Sequence, residues 1–203
     1  MRIFSIVAVI VTNLFIGVSY WRLLRARRIQ PALAMWVFFT IAVVGSLVTY
    51  LAEGSYGLLD NILNTTDVVM VGSVTLLILI YGDRSTRFTR FDLGCLVAVA
   101  GIVAFWAATR QHAVSHLLIQ AILVIGYFPV VRRLLKSSRN TESFAIWIAM
   151  FLAPAFGLLS SKGWLATVYS VRNLLCTAAL LALMARVEWK VRRAQRPTEE
   201  DAE

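Results

Sequence analysis

Acidic residues are scarce in this chain. Its 203 residues hold 11 Asp and Glu against 20 Lys and Arg, with two histidines and two cysteines. Few groups are therefore available to act as bases or nucleophiles near neutral pH. The motifs of such chemistry are missing as well. There is no Gly-x-Ser-x-Gly, no His-Glu-x-x-His and no phosphate-cradling glycine-rich loop, and the last apolar stretch holds no lysine for a retinal Schiff base. An enzyme is not expected, nor is a cofactor. His112 and His116 have the i,i+4 spacing that can hold a metal, but no Cys, Asp or Glu lies near them to complete a set, so no metal is expected. Cys95 and Cys176 both fall inside apolar stretches, which argues against a disulfide.

The chain is rich in long apolar runs. It is 59% hydrophobic with a mean hydropathy of +0.74, too apolar for a soluble domain of this length. Seven stretches, at about 3–24, 32–52, 58–81, 91–109, 113–135, 143–161 and 163–187, are each long enough for a bilayer core of about 30 Å. The pattern predicts an all-α membrane protein with seven transmembrane helices and no separate soluble domain. Only residues 188–203 should project, and the acidic end Pro197–Glu203 has a disordered composition. The first stretch reads as a retained helix rather than a cleaved signal, because its basic cluster follows the apolar run.

A net charge of +9 invites a nucleic-acid reading, but the distribution of charge rejects it. The basic residues gather in alternate loops. Arg22, Arg25, Arg27 and Arg28 follow the first stretch, and Arg84, Arg87 and Arg90 the third. Arg132, Arg133, Lys136 and Arg139 follow the fifth, and Arg186, Lys190, Arg192, Arg193 and Arg196 the seventh. The opposite loops hold only Arg2, Arg110 and Lys162. This asymmetry puts the N-terminus outside and the C-terminus in the cytoplasm. The inner loops would also meet anionic lipid headgroups. Small size and arginine-rich loops suggest a bacterial inner (plasma) membrane.

The chain repeats itself once. In Tyr20–Trp36 and Val131–Trp147, Arg22, Leu23, Leu24, Arg28, Ala34 and Trp36 meet Arg133, Leu134, Leu135, Arg139, Ala145 and Trp147 at an offset of 111. Near offset 112, Asn61-Ile62-Leu63-Asn64-Thr65 echoes Asn173-Leu174-Leu175-Cys176-Thr177. Residues 1–81 then form a first three-helix repeat, 82–111 a linker helix with its loops, 112–187 a second repeat and 188–203 a tail. One linking crossing makes the repeats parallel, related by an axis along the membrane normal, with a solute site expected between them.

The stretch Gly126-Tyr127-Phe128-Pro129-Val130-Val131-Arg132-Arg133-Leu134-Leu135-Lys136, the polar loop Ser137–Asn140, and then Thr141-Glu142-Ser143-Phe144 and Trp147 resemble the PQ-loop signature. With the 3+1+3 plan, the whole chain resembles the PQ-loop superfamily, which includes the SWEET sugar transporters; bacterial carriers of nicotinamide riboside share the architecture. Val130 stands where the signature has glutamine, and Val18 where the second repeat has Pro129. The resemblance implies a proline hinge at Pro129 and a solute-facing asparagine in the third helix of each repeat, matched by Asn61 and Asn173.

Polar groups inside apolar spans face a cavity or a partner. Asp60, Asn64 and Asp67 share a face of the third helix, with Asn61 adjoining. Arg172, Asn173 and Thr177 mark the seventh, where Tyr169 would stack on a ring. At offset 112 Asp60 aligns with Arg172, which predicts that the two pair across the cavity as a gate or a charge reader. The alternative is that Asp60 and Arg172 reach water at helix ends while Asn64 and Asp67 join neighbouring helices. Asp67, the deeper acid, is a candidate proton-responsive group. Pro129 and Pro154 read equally as hinges or static kinks. Trp36 and Trp147, like Trp21, Trp106, Trp164 and Trp189, read as interfacial anchors. The expected activity is passage of a small polar solute, a sugar or a vitamin- or nucleoside-like compound, by alternating access. The alternative is a non-transporting ligand receptor or accessory membrane protein on the same fold. Expected partners are the solute, the bilayer and, compatibly, a second copy of the chain, with no nucleic acid.

Overall fold

The computed structural model describes residues 1–27, 29, 33–81, 89–136 and 142–194, with all of their side chains except those of Ala34, Arg133, Lys136 and Ala194. Arg28, Arg84, Arg87, Arg139 and Arg196, the signature's loop at 137–141 and the tail from 195 onward lie outside the described residues. Within them the chain is all helical, with no strand. Its helices are α1 (Arg2–Arg25), α2 (Leu33–Glu53), α3 (Ile62–Tyr81) preceded by a 3₁₀ turn at Leu58–Asn61, α4 (Arg90–Thr109), α5 (His112–Ile125), α6 (Phe128–Lys136), α7 (Phe144–Leu158) and α8 (Trp164–Ala194).

Among the described residues six spans are long and apolar enough to cross a membrane: Arg2–Arg25, Met35–Glu53, Leu58–Tyr81, Arg90–Thr109, His112–Arg132 and Trp164–Arg193. They suggest a multi-pass membrane protein. Apolar side chains crowd the outer faces, as at Ile3, Val7, Leu14, Val97 and Leu175, which are mostly exposed and suit a lipid surround. The expected span at 143–161 differs. Its helix, α7, has 15 residues, or about 22 Å at 1.5 Å per residue. The chain then turns through Leu159–Gly163, where Lys162 N donates to the Asp60 carbonyl at 2.9 Å. That bond satisfies a backbone group that lipid could not. At the other end of the chain, helix continues to Ala194, past the expected boundary at 188.

The fifth crossing is broken into α5 and α6 at Gly126 and Tyr127. Tyr127 N reaches back only to the Val124 carbonyl, and Val131 N restarts the ladder on the Tyr127 carbonyl. Pro129 lies in the first turn of α6, where a helix leaves N–H groups unpaired in any case, so its missing donor is tolerated. Gly126 is required by packing. A Cβ there would lie 2.7 Å from Phe38 Cε1 and 3.1 Å from Phe39 Cζ, both on α2. The start of α4 is set by a capping box: Thr89 Oγ1 accepts from Asp92 N at 3.1 Å, and Asp92 Oδ2 accepts from Thr89 N at 2.8 Å.

The packing order determines where a cavity can form. α3 packs against both α1 and α2, and α8 against both α7 and the α5–α6 pair. α1 also packs on α7, and α2 on α5, while α4 lies against α5 and α2. A main core of Val9, Ile16, Phe38, Leu63, Val74, Ile119 and Leu123 ties α1, α2, α3 and α5 together. A smaller one of Val130, Leu134, Trp147, Leu180 and Met184 joins α6, α7 and α8.

Candidate functional site

A cavity of about 570 Å³ runs between these helices. Arg27, Ile29 and Glu142 line it at the arginine-rich end, and Asp67, Tyr169, Arg172 and Asn173 line its depth. Its walls are aromatic: Tyr20, Trp36, Phe39, Tyr127 and Trp147 all contribute. Their rings meet one another edge-on or tilted, with centroids 5.0 Å apart for Tyr20–Trp36, 5.9 Å for Phe39–Tyr127 and 6.2 Å for Tyr127–Trp147. Trp36 and Trp147 are only 4% and 6% exposed, so they are walls of the cavity rather than interfacial anchors. The Nε1 of Trp147 donates to Glu142 Oε2 at 3.1 Å, whereas the buried Nε1 of Trp36 has no partner among the described residues.

At the deep end an acid and a base are held apart by a tyrosine. Asp67 Oδ1 accepts from Asn13 Nδ2 of α1 at 3.0 Å, and Oδ2 from the Tyr169 hydroxyl of α8 at 2.8 Å. The guanidinium of Arg172 stands over the face of the same Tyr169 ring, 4.9 Å from its centroid. Arg172 Nε donates to Gln120 Oε1 of α5 at 3.1 Å. Gln120 Nε2 donates to Ser46 Oγ at 2.9 Å. In the orientation that satisfies both ends of its amide, Asn64 accepts from Ser46 Oγ at 3.0 Å and donates to the Val43 carbonyl at 3.1 Å. His116 Nδ1 lies 3.1 Å from the Ser46 carbonyl, and its Nε2 lies 3.2 Å from Gln120 Nε2. A neutral ring with its proton on Nδ1 satisfies both contacts. The arginine is thus aimed through a buried chain spanning α8, α5, α2 and α3.

The opposite end is closed. Asp60 Oδ1 accepts from Arg2 Nη2 at 2.8 Å, and Lys162 Nζ lies 3.7 Å from Oδ2. Oδ2 also accepts from Gly57 N at 2.9 Å, which builds the turn before α3. Ser5 Oγ of α1 donates to the Phe156 carbonyl of α7 at 2.5 Å and lies 2.7 Å from Ser160 Oγ. The Tyr50 hydroxyl donates to the Lys162 carbonyl at 2.8 Å, and the Tyr50 and Tyr56 rings stack at 4.8 Å. Gly163 is required here twice over. Its φ is +80°, and a Cβ would lie 2.7 Å from the Tyr56 hydroxyl oxygen.

These positions revise the pairing read from the repeat. Asp60 pairs with Arg2 and Lys162 at the closed end, and Arg172 bonds Gln120 at the cavity's depth, so the two do not form a pair. Asn61 lies in the turn before α3, buried at the closed end, with its oxygen accepting from Asn64 N at 3.3 Å and its nitrogen unpartnered. Asn173 lies well inside α8 and lines the cavity, its oxygen accepting from the Tyr127 hydroxyl at 3.2 Å. Asn64 is fully buried between helices. Thr177 is buried too, its hydroxyl donating to the Asn173 carbonyl of its own helix at 2.8 Å. Pro129 lines the cavity beside the break between α5 and α6. His112 accepts from Trp106 Nε1 at 2.7 Å and takes no part in His116's network as described. Asn13, Ser46, Gln120 and Tyr127 were not singled out from the sequence. The usable signal was a lone amide, Asn13 or Gln120, inside an otherwise apolar run.

Comparison with protein-family models, curated proteins and solved structures finds no match to this chain.

Proposed function

We propose that the protein is a membrane carrier that moves a small polar solute by alternating access between two three-helix halves. The observation that carries this reading is a cavity lined from the arginine-rich end down to an acid and a base at its depth, with contacts between α1–α3 and α7–α8 across the opposite end. The exchange of helix contacts supports two related halves. α3 lies against α1 and α2 as α8 lies against α5–α6 and α7, and α1 meets α7 as α2 meets α5. A two-fold axis between the halves would produce that exchange. α4 is then the linker, and the resemblance to the PQ-loop superfamily is part of the same proposal.

With the arginine-rich loops in the cytoplasm, this conformation faces inward. Rocking the halves would part Ser5 from Ser160 and Lys162 from Asp60, opening the outer end, while the aromatic walls close below the solute. Asp60 acts as an outer latch in this scheme, and Asp67, Arg172, Asn173 and Tyr169 as the binding end. Asn61 then belongs to the latch region, and Asn64 and Thr177 support their helices.

The test is a cross-link across the closed end. Ser5→Cys with Ser160→Cys, in a chain lacking Cys95 and Cys176, brings two sulfurs to positions whose hydroxyls are 2.7 Å apart. Proteoliposomes would be screened for uptake of labelled sugars, nucleosides, vitamins and organic acids. Oxidation should abolish protein-dependent uptake and reduction should restore it. Uptake unaffected by a complete cross-link, or no uptake of any compound, overturns the carrier reading.

A further inference from the structure

We infer that the solute is a small planar acid whose carboxylate is received by Arg172. The inference rests on the carrier reading of the same cavity and narrows it. Of the two charges at the cavity's depth, Asp67 is engaged at both oxygens, by Asn13 Nδ2 and the Tyr169 hydroxyl. Arg172 donates by Nε to Gln120 Oε1, and its guanidinium also has a hydrogen-bonding contact with the Tyr127 hydroxyl. Among the described residues no carboxylate lies within 4.0 Å of its guanidinium, since Asp60 and Glu188 serve other cations. Tyr169 keeps the acid from the base: its hydroxyl holds Asp67 while its ring face carries Arg172. The Gln120, Tyr169 and Tyr127 contacts orient the guanidinium, and its remaining Nη hydrogens, beside the cavity, are available to a ligand.

The shape of that fork selects the chemistry. Parallel N–H groups match the two oxygens of a carboxylate in one plane. A phosphate dianion would need further positive charge, and the next cation lining the cavity, Arg27, is at its mouth. A neutral sugar would make no use of the guanidinium's charge. The walls favour a flat body, because Trp36, Phe39, Tyr127 and Trp147 surround the space, and Trp36 Nε1 is a buried donor with no partner among the described residues.

The experiment is a titration of the full chain in lipid nanodiscs, read by tryptophan fluorescence because Trp36 and Trp147 line the cavity. Matched acid and amide pairs, phenylacetate with phenylacetamide and benzoate with benzamide, are compared with glucose. The acids should bind at least tenfold tighter than their amides. Arg172→Gln should erase that preference, and Arg172→Lys, which keeps the charge, should retain part of it. Equal affinity for acid and amide in the unaltered protein, tighter binding of glucose, or no binding of any probe overturns the inference without reference to a variant. So does an unchanged preference in Arg172→Gln. Acid-selective binding with no uptake of that acid above protein-free liposomes retires the carrier and leaves the arginine's role standing. Uptake of neutral solutes without acid preference does the reverse.

Discussion

Asp60 and Asp67 lie on one crossing and are held in opposite ways. Asp60 meets two cations whose side chains are largely in the open, Arg2 at 59% and Lys162 at 62% exposure. Asp67 is buried and meets neutral donors, an amide and a phenol. Exposed ion pairs form and break at little net gain and weaken with salt. A buried carboxylate with dedicated donors is expensive to disturb, because each donor left behind stays unpaired. The contrast separates a contact suited to letting go from one suited to staying in place.

The largest break in this comparison should come at Asp67. Asp67→Leu strands the Tyr169 hydroxyl and the Asn13 amide and leaves Arg172 without its nearby counter-charge, so it should destabilise the fold by about 3 kcal/mol. Thermal unfolding in detergent measures it, and a midpoint equal to the parent's would refute the network. Tyr169→Phe removes one hydrogen bond and keeps the ring under Arg172, so it should cost about 1 kcal/mol by the same assay. The smallest effect on stability belongs to Asp60→Asn, which should leave the midpoint nearly unchanged. Its signature is conformational. A cysteine at Ser160 should react with a polar maleimide several-fold faster once the latch is weakened. In the parent, high salt should speed the same labelling. A rate that responds to neither change would place the closure elsewhere, in Tyr50 and Ser5.

The spans were legible because crossing a bilayer demands long apolar runs, and among the described residues six of the seven stretches correspond to helical spans long enough to cross, the fifth made of α5 and α6 together. The exception, α7, is short. Among the described residues α2 runs on to Glu53 while α7 stops at Leu158. The letters that match at offset 112 fall in unlike places, Asn61 in the turn before α3 and Asn173 well inside α8. Asp67 and Arg172 were recognisable as ionisable groups in apolar surroundings. Their separation by Tyr169, and the bonding of Arg172 to Gln120, depend on how α3, α5 and α8 face one another, which no single-helix pattern encodes. The aromatic walls were misread for a related reason. A tryptophan at a span's end lies at the right depth for an interface, and only packing decides whether it turns inward, as Trp36 and Trp147 do.

With 31 residues, α8 is about 46 Å long, against a bilayer core of about 30 Å. The same rod carries Tyr169, Arg172 and Asn173 in its first half and Lys190 and Arg192 near its far end. A stiff rod pivoting within the bilayer is a lever, and its far end sweeps a wider arc than any point near the fulcrum. Small tilts that rearrange the binding end would be amplified at Trp189 and Lys190, in the aqueous phase. A fluorophore at that tip would make the helix its own pointer.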